Sequence, residues 1–288
     1  MLVARDIQPV DYLAVGHITC DITPQGNTFG GTALYSALTA RALGLCVGVV
    51  TSCQTNFKLP EIDGIKFVVV PSESTTTFEN IYTPEGRIQV LHSVADTLSL
   101  PAIPERWRNT PIVHLAPVAR EADPTLSRYF PESIVCLTPQ GFMRSWDAKG
   151  RVTSSEWPEA AFVLENSTAA VLSIEDINGD ESRIEEMLRS IRILVVTEGA
   201  EGARVYWNGD VRHFAAPSKI EVDSTGAGDI FAACFFTKYN ATRDPWEAAR
   251  FAVQLASCSV TRRGMDSIPT AEEIDLAGIE ILKAEQGT

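Results

Sequence analysis

The feature that most restricts the fold of this chain is an alternation of short apolar runs with longer segments of helical spacing. Strands are expected in seven apolar runs, at residues 12–16, 47–51, 65–70, 112–116, 134–138, 170–173 and 193–197. Helical spacing recurs in five segments, at residues 30–43, 181–191, 226–239, 245–261 and 270–284. Such alternation is typical of a mainly parallel sheet with helices on both faces, so the sequence predicts a three-layer α/β sandwich.

Two segments interrupt the alternation with the pattern of a β-hairpin. The segment around residues 75–92 reads as two strands on either side of a turn that contains Pro84 and Gly86. A second hairpin is expected across residues 203–214. Because no linker or repeat divides the chain, we expect one domain over residues 1–288, with the first hairpin as a small β lid.

Composition excludes several classes of protein. The chain has 24 Lys and Arg against 37 Asp and Glu, a net charge of −13, and no cluster of basic residues. Such a surface repels nucleic acid and anionic lipid, and no apolar run approaches the roughly 20 residues that span a bilayer. The six dispersed cysteines lack zinc-site spacing, and the first residues lack a signal-peptide pattern. We therefore expect a cytoplasmic protein with reduced thiols and a small-molecule ligand, and neither nucleic acid nor membrane as a partner.

The most informative stretch is residues 223–229, Asp-Ser-Thr-Gly-Ala-Gly-Asp, which leads into an apolar helix. Gly226 and Gly228 permit tight backbone conformations that a side chain would block. The first N–H groups of a helix lack intrahelical partners, so those of Gly226, Ala227 and Gly228 are candidates to stabilise a transferring phosphoryl group. Asp229 would repel a phosphate, but it is suited to act as the general base for an attacking hydroxyl.

The residues alone leave other interpretations of this stretch open. It is compatible with an ordinary helix N-terminus, with Ser or Thr as the cap and Asp in the first turn to oppose the dipole. A dinucleotide-binding fingerprint matches less well, since it needs glycine where Phe231 stands and normally follows the first strand. A Walker loop is excluded, because no GxxxxGK followed by Ser or Thr occurs.

Residues 223–229 and the helix after them resemble the second signature of the ribokinase-like, pfkB family of carbohydrate kinases. Four further pieces resemble that family in the same order, between about residue 10 and residue 285. The resemblance implies a magnesium-dependent, ATP-using kinase that phosphorylates a hydroxyl group, with a ribokinase-like domain and a small β lid. Potassium is a further cation that the resemblance allows.

The resemblance also implies roles for individual residues. By that resemblance Asp229 is the base. Asp21 is the acid near the end of the first strand that binds the acceptor, and Gly30 and Gly31 are the paired glycines beside the sugar. The nucleotide site comprises Thr197, Gly199, Gly202, Thr225 and Ser257. Asp223 resembles a residue that, with Thr225, holds the potassium ion.

The chain departs from the family pattern at two places. Only eight residues separate the acceptor-binding acid from the paired glycines, so we expect a short lid formed by the 75–92 hairpin, and either a monomer or a homodimer. The family's NxxE motif, which organises magnesium-bound water, is replaced here by Ser173 and Asp176 in an SxxD arrangement. Asp176 and Asp223 are therefore the metal-ligand candidates, and simple helix-entry charge is the alternative for Asp176.

Three features indicate the acceptor. The lid is short, and Tyr35 stands where many sugar kinases of the family have Asn. In addition, residues 75–87, 114–118 and 137–147 resemble the myo-inositol kinase branch. Within that resemblance Asn80, Gln140 and Arg144 are candidates for hydroxyl contacts, because planar amide and guanidinium groups suit vicinal hydroxyls. The alternatives are a turn residue for Gln140 and a surface arginine for Arg144. We therefore expect a sugar or cyclitol kinase with a myo-inositol-like acceptor.

Two other functions are compatible with the sequence. A nucleoside kinase of the same fold needs an aromatic shelf for the base, for which Phe29, Tyr35 and Phe142 are available. A regulator that binds sugar or nucleotide without turnover is favoured by the altered NxxE motif and opposed by the intact base and glycine-rich loop.

Overall fold

The computed structural model of the chain describes residues 7–83 and 86–285. The strands are β1 (Tyr12–Val15), β2 (Thr19–Thr23), β3 (Gly26–Gly30), β4 (Val47–Gln54), β5 (Ile65–Ser72), β6 (Thr77–Thr83), β7 (Gly86–Ser93), β8 (Ile112–Leu115), β9 (Ile134–Leu137), β10 (Arg144–Trp146), β11 (Val152–Ser154), β12 (Ala169–Ser173), β13 (Ile193–Thr197), β14 (Ala203–Trp207) and β15 (Asp210–Phe214). The α-helices are α1 (Thr32–Ala42), α2 (Ala160–Glu165), α3 (Glu181–Leu188), α4 (Ala227–Thr242), α5 (Pro245–Ser259) and α6 (Ala271–Glu285).

A central sheet of nine strands forms the middle layer, in the spatial order β15, β14, β13, β12, β9, β8, β1, β4 and β5. All neighbouring strands from β13 to β5 are parallel. The last two pairs, β13 with β14 and β14 with β15, are antiparallel. The predicted mainly parallel sheet is confirmed, and the hairpin expected at residues 203–214 is its edge.

Both faces of the central sheet are buried, which explains why its strands are continuous apolar runs. Along β1, Tyr12 and Ala14 point into the core that α1, α4 and α5 cover. Leu13 and Val15 alternate with them and point into a second core on the opposite face, beneath α2 and α3. Helices thus lie on both sides of the sheet, which gives the three predicted layers.

The lid is a separate sheet of four strands in the order β3, β2, β6 and β7. The predicted hairpin corresponds to β6 and β7, while Pro84 and Glu85 in its turn lie outside the described residues. The prediction that this hairpin alone forms the lid is wrong, because β2 pairs with β3 and also with β6. Residues 19–30 are polar and half-exposed, so they lack the apolar pattern that marks a strand in sequence.

Two further expectations concern thiols and membrane spans. All six cysteines, which lie in the described part of the chain, are free thiols. Among the described helices there is none with the length and apolar character needed to cross a membrane.

Candidate active site

The candidate site lies where the carboxyl ends of the central strands meet the lid and the N-terminus of α4. Parallel strands bring the loops at their carboxyl ends to one edge of the sheet. Arg144 follows β9, Asp176 follows β12, and Asp21 lies on the lid strand β2. All three charges act on Asp229 in the first turn of α4. The fold thus brings together four charged side chains that are far apart in sequence.

Asp229 is held by the first helix of the domain. Thr32 donates a side-chain hydrogen bond to its carboxylate, and Ser36 Oγ donates to its backbone carbonyl at 3.3 Å. Burial raises the pKa of Asp229 to about 6, Asp176 and Asp21 add to the rise, and Thr32 opposes it. A carboxyl group with this pKa is mostly ionised at neutral pH and still accepts a proton readily, as a general base must.

The raised pKa of Asp229 leads to a prediction of pH dependence. Below about pH 6 the carboxyl group is protonated and no longer accepts the acceptor's proton, so kcat/KM should fall about tenfold per pH unit there and level off above about pH 7. The measurement is a profile of kcat/KM for the acceptor at saturating donor and metal. A profile that stays flat down to about pH 5 would contradict this role of the carboxylate.

Gly226 starts α4 in a left-handed conformation, with φ of 80°. A Cβ at this position would also overlap the ring of Tyr35, which is buried beneath the glycine. Burial raises the pKa of the Tyr35 hydroxyl, and the nearby carboxylates of Asp229, Asp21 and Asp223 raise it further. This hydroxyl therefore stays protonated and faces the acidic side of the site.

Two details of the glycine-rich loop differ from the predictions. Gly228 lies within α4 without a positive φ, and a Cβ there would meet nothing within 4 Å, so the prediction that Gly228 needs a special backbone conformation is wrong. The amide of Ala227 donates to the Ser224 carbonyl at 3.1 Å, which closes the turn before the helix. No backbone carbonyl of the described residues accepts the amides of Gly226 and Gly228. The amides of Gly226 and Gly228 are therefore open to a ligand, that of Ala227 is used in the turn, and anion binding by this loop stays a prediction.

Asp21 lies on the lid and not at the end of β1. Thr19 Oγ1 donates to Asp21 Oδ1 at 2.7 Å, and burial raises the pKa of the Asp21 carboxyl group. A Cβ at Gly30 would overlap this carboxylate, and a Cβ at Gly31 (φ 95°) would overlap the His17 carbonyl oxygen. Gly30 therefore makes room for Asp21, and Gly31 lets the start of α1 lie close to the backbone of His17.

Arg144 faces the site from the first residue of β10. Its Nη1 donates to the Val118 carbonyl oxygen at 3.0 Å, and its guanidinium lies over the lid residue Phe78, 5.6 Å from the ring centroid. Burial raises the pKa values of Asp21 and Asp229, and the positive charge of Arg144 lowers both. Arg144 is therefore half-buried between the lid and the loop after β8, and its contact with an acceptor stays a prediction.

The other two predicted acceptor contacts are amide side chains. Gln140 lies in the 3-10 turn Pro139–Met143, where its Nε2 donates to Asp176 Oδ1 at 3.1 Å. Asn80 lies on β6, and its Oδ1 accepts a hydrogen bond of 3.1 Å from Gln89 Nε2. Alternate residues of a strand share a face, so Asn80 lies on the same lid face as Phe78. Acceptor binding by the two amides stays a prediction.

The residues predicted to bind the donor lie around the end of β13. Thr197 ends this strand, and its Oγ1 donates to the Leu172 carbonyl at 3.3 Å. Gly199 (φ 57°) follows, with nothing within 4 Å of the place a Cβ would occupy. A Cβ at Gly202 (φ 103°) would overlap the Phe214 carbonyl, so this glycine allows β14 and β15 to pair closely.

Two further predicted donor residues make contacts within their own segments. The amide of Thr225 donates to Asp223 Oδ1 at 2.9 Å, which fixes the turn before α4. Ser257 is buried in α5, and its hydroxyl donates to the Val253 carbonyl at 2.7 Å. The Ser257 hydroxyl group therefore donates its hydrogen bond within α5 and not to a ligand.

The metal candidates do not form a closed metal site. Asp176 Oδ2 accepts the Ser173 amide at 2.9 Å in a capping box, and its other oxygen accepts Gln140. Across the described ranges no three His, Cys, Asp or Glu side chains are grouped so that they could hold a metal ion. Magnesium usually binds through one or two carboxylates, water and substrate phosphates, and Asp176 fits that limited role. Metal binding by Asp176 and Asp223 stays a prediction.

Sequence reasoning missed two residues that shape the site. Glu121 is buried, and its carboxylate accepts the amides of His17 at 2.9 Å, Val118 at 3.0 Å and Ala119 at 2.7 Å. Nothing in the sequence distinguishes it from a surface acid. Thr32, which donates a hydrogen bond to Asp229, directly follows the paired glycines. Its place beside them is the sequence feature that could have identified it as a site residue.

The fold is ribokinase-like, and it places the Asp229 carboxylate at the N-terminus of α4 beneath a β lid. Comparison with known proteins agrees. A model of the pfkB family carbohydrate kinases matches residues 155–271. Residues 155–271 therefore resemble this family, and the matches as a whole support a sugar or nucleoside kinase, a phosphotransferase that acts on hydroxyl acceptors.

Individual relatives differ in substrate. Cytidine kinase of Thermococcus kodakarensis is 28% identical over 268 residues, which cover 86% of this chain and 95% of that protein. A pyrophosphate-dependent kinase of the ribokinase family, complexed with a pyrophosphate analog and myo-inositol, has a TM-score of 0.76 at 22% identity and covers 92% of this chain and 99% of its own. Ribokinase of Arabidopsis thaliana, complexed with ribose and ATP, has a TM-score of 0.67 at 17% identity. The match covers 96% of this chain and 99% of the ribokinase chain.

Proposed function

We propose that this kinase transfers the γ-phosphate of ATP to a hydroxyl group of a sugar or cyclitol, with a myo-inositol-like ring as the preferred acceptor. The observation that supports this is the position of Arg144, whose charge acts on both Asp21 and Asp229. A hydrogen-bond donor thus lies near two acceptors, and a ring with hydroxyls on every side can pair with both kinds.

The proposed reaction uses Asp229 as the base. Its carboxylate takes the proton of one acceptor hydroxyl, and the oxygen forms a bond to the γ-phosphorus while the bond from that phosphorus to the β-phosphate oxygen breaks. ADP leaves, and the amides of Gly226 and Gly228 stabilise the charge on the transferring group. Magnesium, held mainly by phosphates and water beside Asp176, would neutralise phosphate charge.

The aromatic residues of the site favour a polyol over a nucleobase. Phe142 is buried and stacks on Trp157, with ring centroids 5.3 Å apart and planes 9° apart. Tyr35 is buried beneath the glycine-rich loop. Phe29 makes an edge contact with Phe57, at 5.6 Å between centroids. The three residues considered for a base-stacking shelf are therefore largely occupied by protein contacts.

A nucleoside acceptor is the second candidate. The similarity to cytidine kinase, which extends over 86% of the chain, favours it. In that case Asp21 and Arg144 would bind the hydroxyls of the ribose, and the base would lie outside the aromatic contacts described above.

ATP is proposed as the donor because of apolar surface beside the glycine-rich loop. Ile220 is 85% exposed and Val222 is 48% exposed, and the Val222 amide donates to the Val260 carbonyl at the end of α5 at 2.8 Å. Met265, five residues after Val260, is 46% exposed. An adenine base can cover such apolar side chains, whereas pyrophosphate has no apolar part that would do so.

A panel of acceptors tests the proposal. We expect kcat/KM for myo-inositol to exceed that for ribose, fructose, cytidine and adenosine at least about tenfold, because a site built to bind a hydroxyl discriminates strongly against acceptors that leave its partner unpaired. The measurement is ADP release with magnesium, repeated with pyrophosphate in place of ATP and phosphate release as the readout. Faster turnover of cytidine would favour the second candidate, and faster turnover with pyrophosphate would overturn the donor assignment. No turnover with any acceptor would favour a regulator.

A further inference from the structure

The short hairpin formed by β10 and β11 continues the lid sheet. The two strands pair with each other through Arg144 to Trp146 and Val152 to Ser154. Beside them, the Leu91 amide of β7 donates to the Gly150 carbonyl at 2.8 Å, and Val90 forms an antiparallel bridge with Arg151. The hairpin is therefore hydrogen-bonded to the edge of the lid although 50 or more residues separate the two in sequence.

The turn of this hairpin has a defined conformation. Asp147 Oδ1 accepts the amides of Lys149 at 2.8 Å and Arg151 at 2.9 Å, and the Gly150 amide donates to the Asp147 carbonyl. Gly150 has φ of 78°, and a Cβ at this position would overlap the carbonyl oxygen of Leu91. Only glycine therefore allows the turn to lie this close to β7.

A small apolar cluster joins the lid to the loop that follows β8. Phe78 and Leu91 from the lid pack against Val118 and Ala119, and Val152 of β11 packs against this group. The loop is fixed from below by the buried carboxylate of Glu121, which accepts the amides of Val118 and Ala119. Arg144 lies on this cluster, because its guanidinium covers the Phe78 ring and binds the Val118 carbonyl.

The other end of the hairpin is fixed to the main domain. Ser154 Oγ donates to the Asp176 carbonyl at 3.0 Å. Arg183 of α3 donates to Ser154 Oγ at 3.1 Å and to the Ser155 carbonyl at 3.0 Å. The hairpin thus connects the lid edge, the first residue of β10 in the site, and the domain below.

We propose that Gly150 is a positioning residue for the acceptor: its close contact with Leu91 fastens the hairpin to the lid and thereby holds Arg144 in the site. The inference rests on the proposed function of Arg144 as an acceptor contact. A side chain at residue 150 would push the turn away from β7, and the start of β10 would lose its alignment with Phe78.

The test compares Gly150→Ala with Gly209→Ala. Gly209 has a similar φ of 82° in the distant turn between β14 and β15, but a Cβ there would meet nothing within 4 Å. Both variants carry the same backbone strain, and only the first has the overlap. We expect Gly150→Ala to raise the acceptor KM about tenfold with kcat and the ATP KM within about twofold of wild type, and Gly209→Ala to change none of them. Equal acceptor KM values in the two variants would overturn the proposal.

A second comparison asks whether Gly150 acts through Arg144. In an Arg144→Ala background, Gly150→Ala should add less than about twofold to the acceptor KM, because the group that it positions is gone. A full tenfold effect in that background would overturn the proposal. If Gly150→Ala does not fold, Val152→Ala trims the same apolar cluster and should raise the acceptor KM about threefold; an unchanged KM in that variant is equally contrary to the proposal.

Hydrogen exchange separates this inference from the proposed function. In Gly150→Ala, but not in Gly209→Ala, the amide of Leu91 and those of residues 144–146 should exchange at least about tenfold faster. If wild type phosphorylates no acceptor, the proposed function is wrong. Independently of that result, unchanged exchange at residues 144–146 in Gly150→Ala would overturn the hairpin inference. If wild type is active and only the KM comparison fails, the hairpin inference alone is wrong.

Discussion

Replacing Asp229 with Asn should lower kcat by about 10²–10⁴-fold, the usual contribution of a general base, while the KM for ATP changes little. Asn has the same shape and retains an oxygen that accepts the hydrogen bond from Thr32. It cannot take up the acceptor's proton, so the loss falls on the chemical step. The measurement is steady-state kinetics with the best acceptor of the panel.

The control for this variant is Asp210→Asn, the same chemical change at an exposed residue of β15. Its kinetics should match wild type. The residual activity of Asp229→Asn should also lose the decline below about pH 6, because the titrating group is absent. Turnover above about a tenth of wild type, with that decline intact, would place the base on another residue.

The central sheet is predictable from sequence because each of its inner strands is buried on both faces. Five predicted runs coincide with β1, β8, β9, β12 and β13, and two more with the first parts of β4 and β5. The lid strands β2 and β3 are different. Cys20 of β2 lies opposite Thr77 of β6, 57 residues later, and the two short polar strands are defined by this pairing rather than by a local pattern.

The charged part of the site is predictable for a related reason. Arg144 follows β9 and Asp176 follows β12, and a parallel sheet gathers the carboxyl ends of such strands at one edge. Asp21 on the lid and Asp229 at the start of α4 are predicted by the resemblance of their segments to the pfkB family. The different roles of the two glycines are not predictable, because nothing in the sequence distinguishes Gly226 from Gly228. Their difference arises from where the helix begins and from the Tyr35 ring, which is nearly two hundred residues away.

Gly226→Ala should lower kcat by about 10²–10³-fold, the cost typical of losing one donor from an anion hole. A side chain at this position is opposed twice, by the left-handed φ of 80° and by overlap with the Tyr35 ring. The start of α4 must therefore shift, and the amides of Gly226 and Gly228 tilt away from the transferring phosphoryl group. Circular dichroism and thermal unfolding establish that the variant is folded before its kinetics are measured.

Two further variants separate the causes of that loss. Gly44→Ala has the same backbone strain, with φ of 89° and open space around the Cβ, so it should cost about 1–2 kcal/mol of stability without affecting kcat. Gly228→Ala places a methyl group where the protein leaves open space, in a helical conformation that alanine favours, so it should be at least as stable as wild type. A loss of activity in Gly228→Ala therefore reports a ligand that approaches this glycine closely. Near-normal turnover in folded Gly226→Ala would instead mean that the glycine-rich loop is only a helix cap.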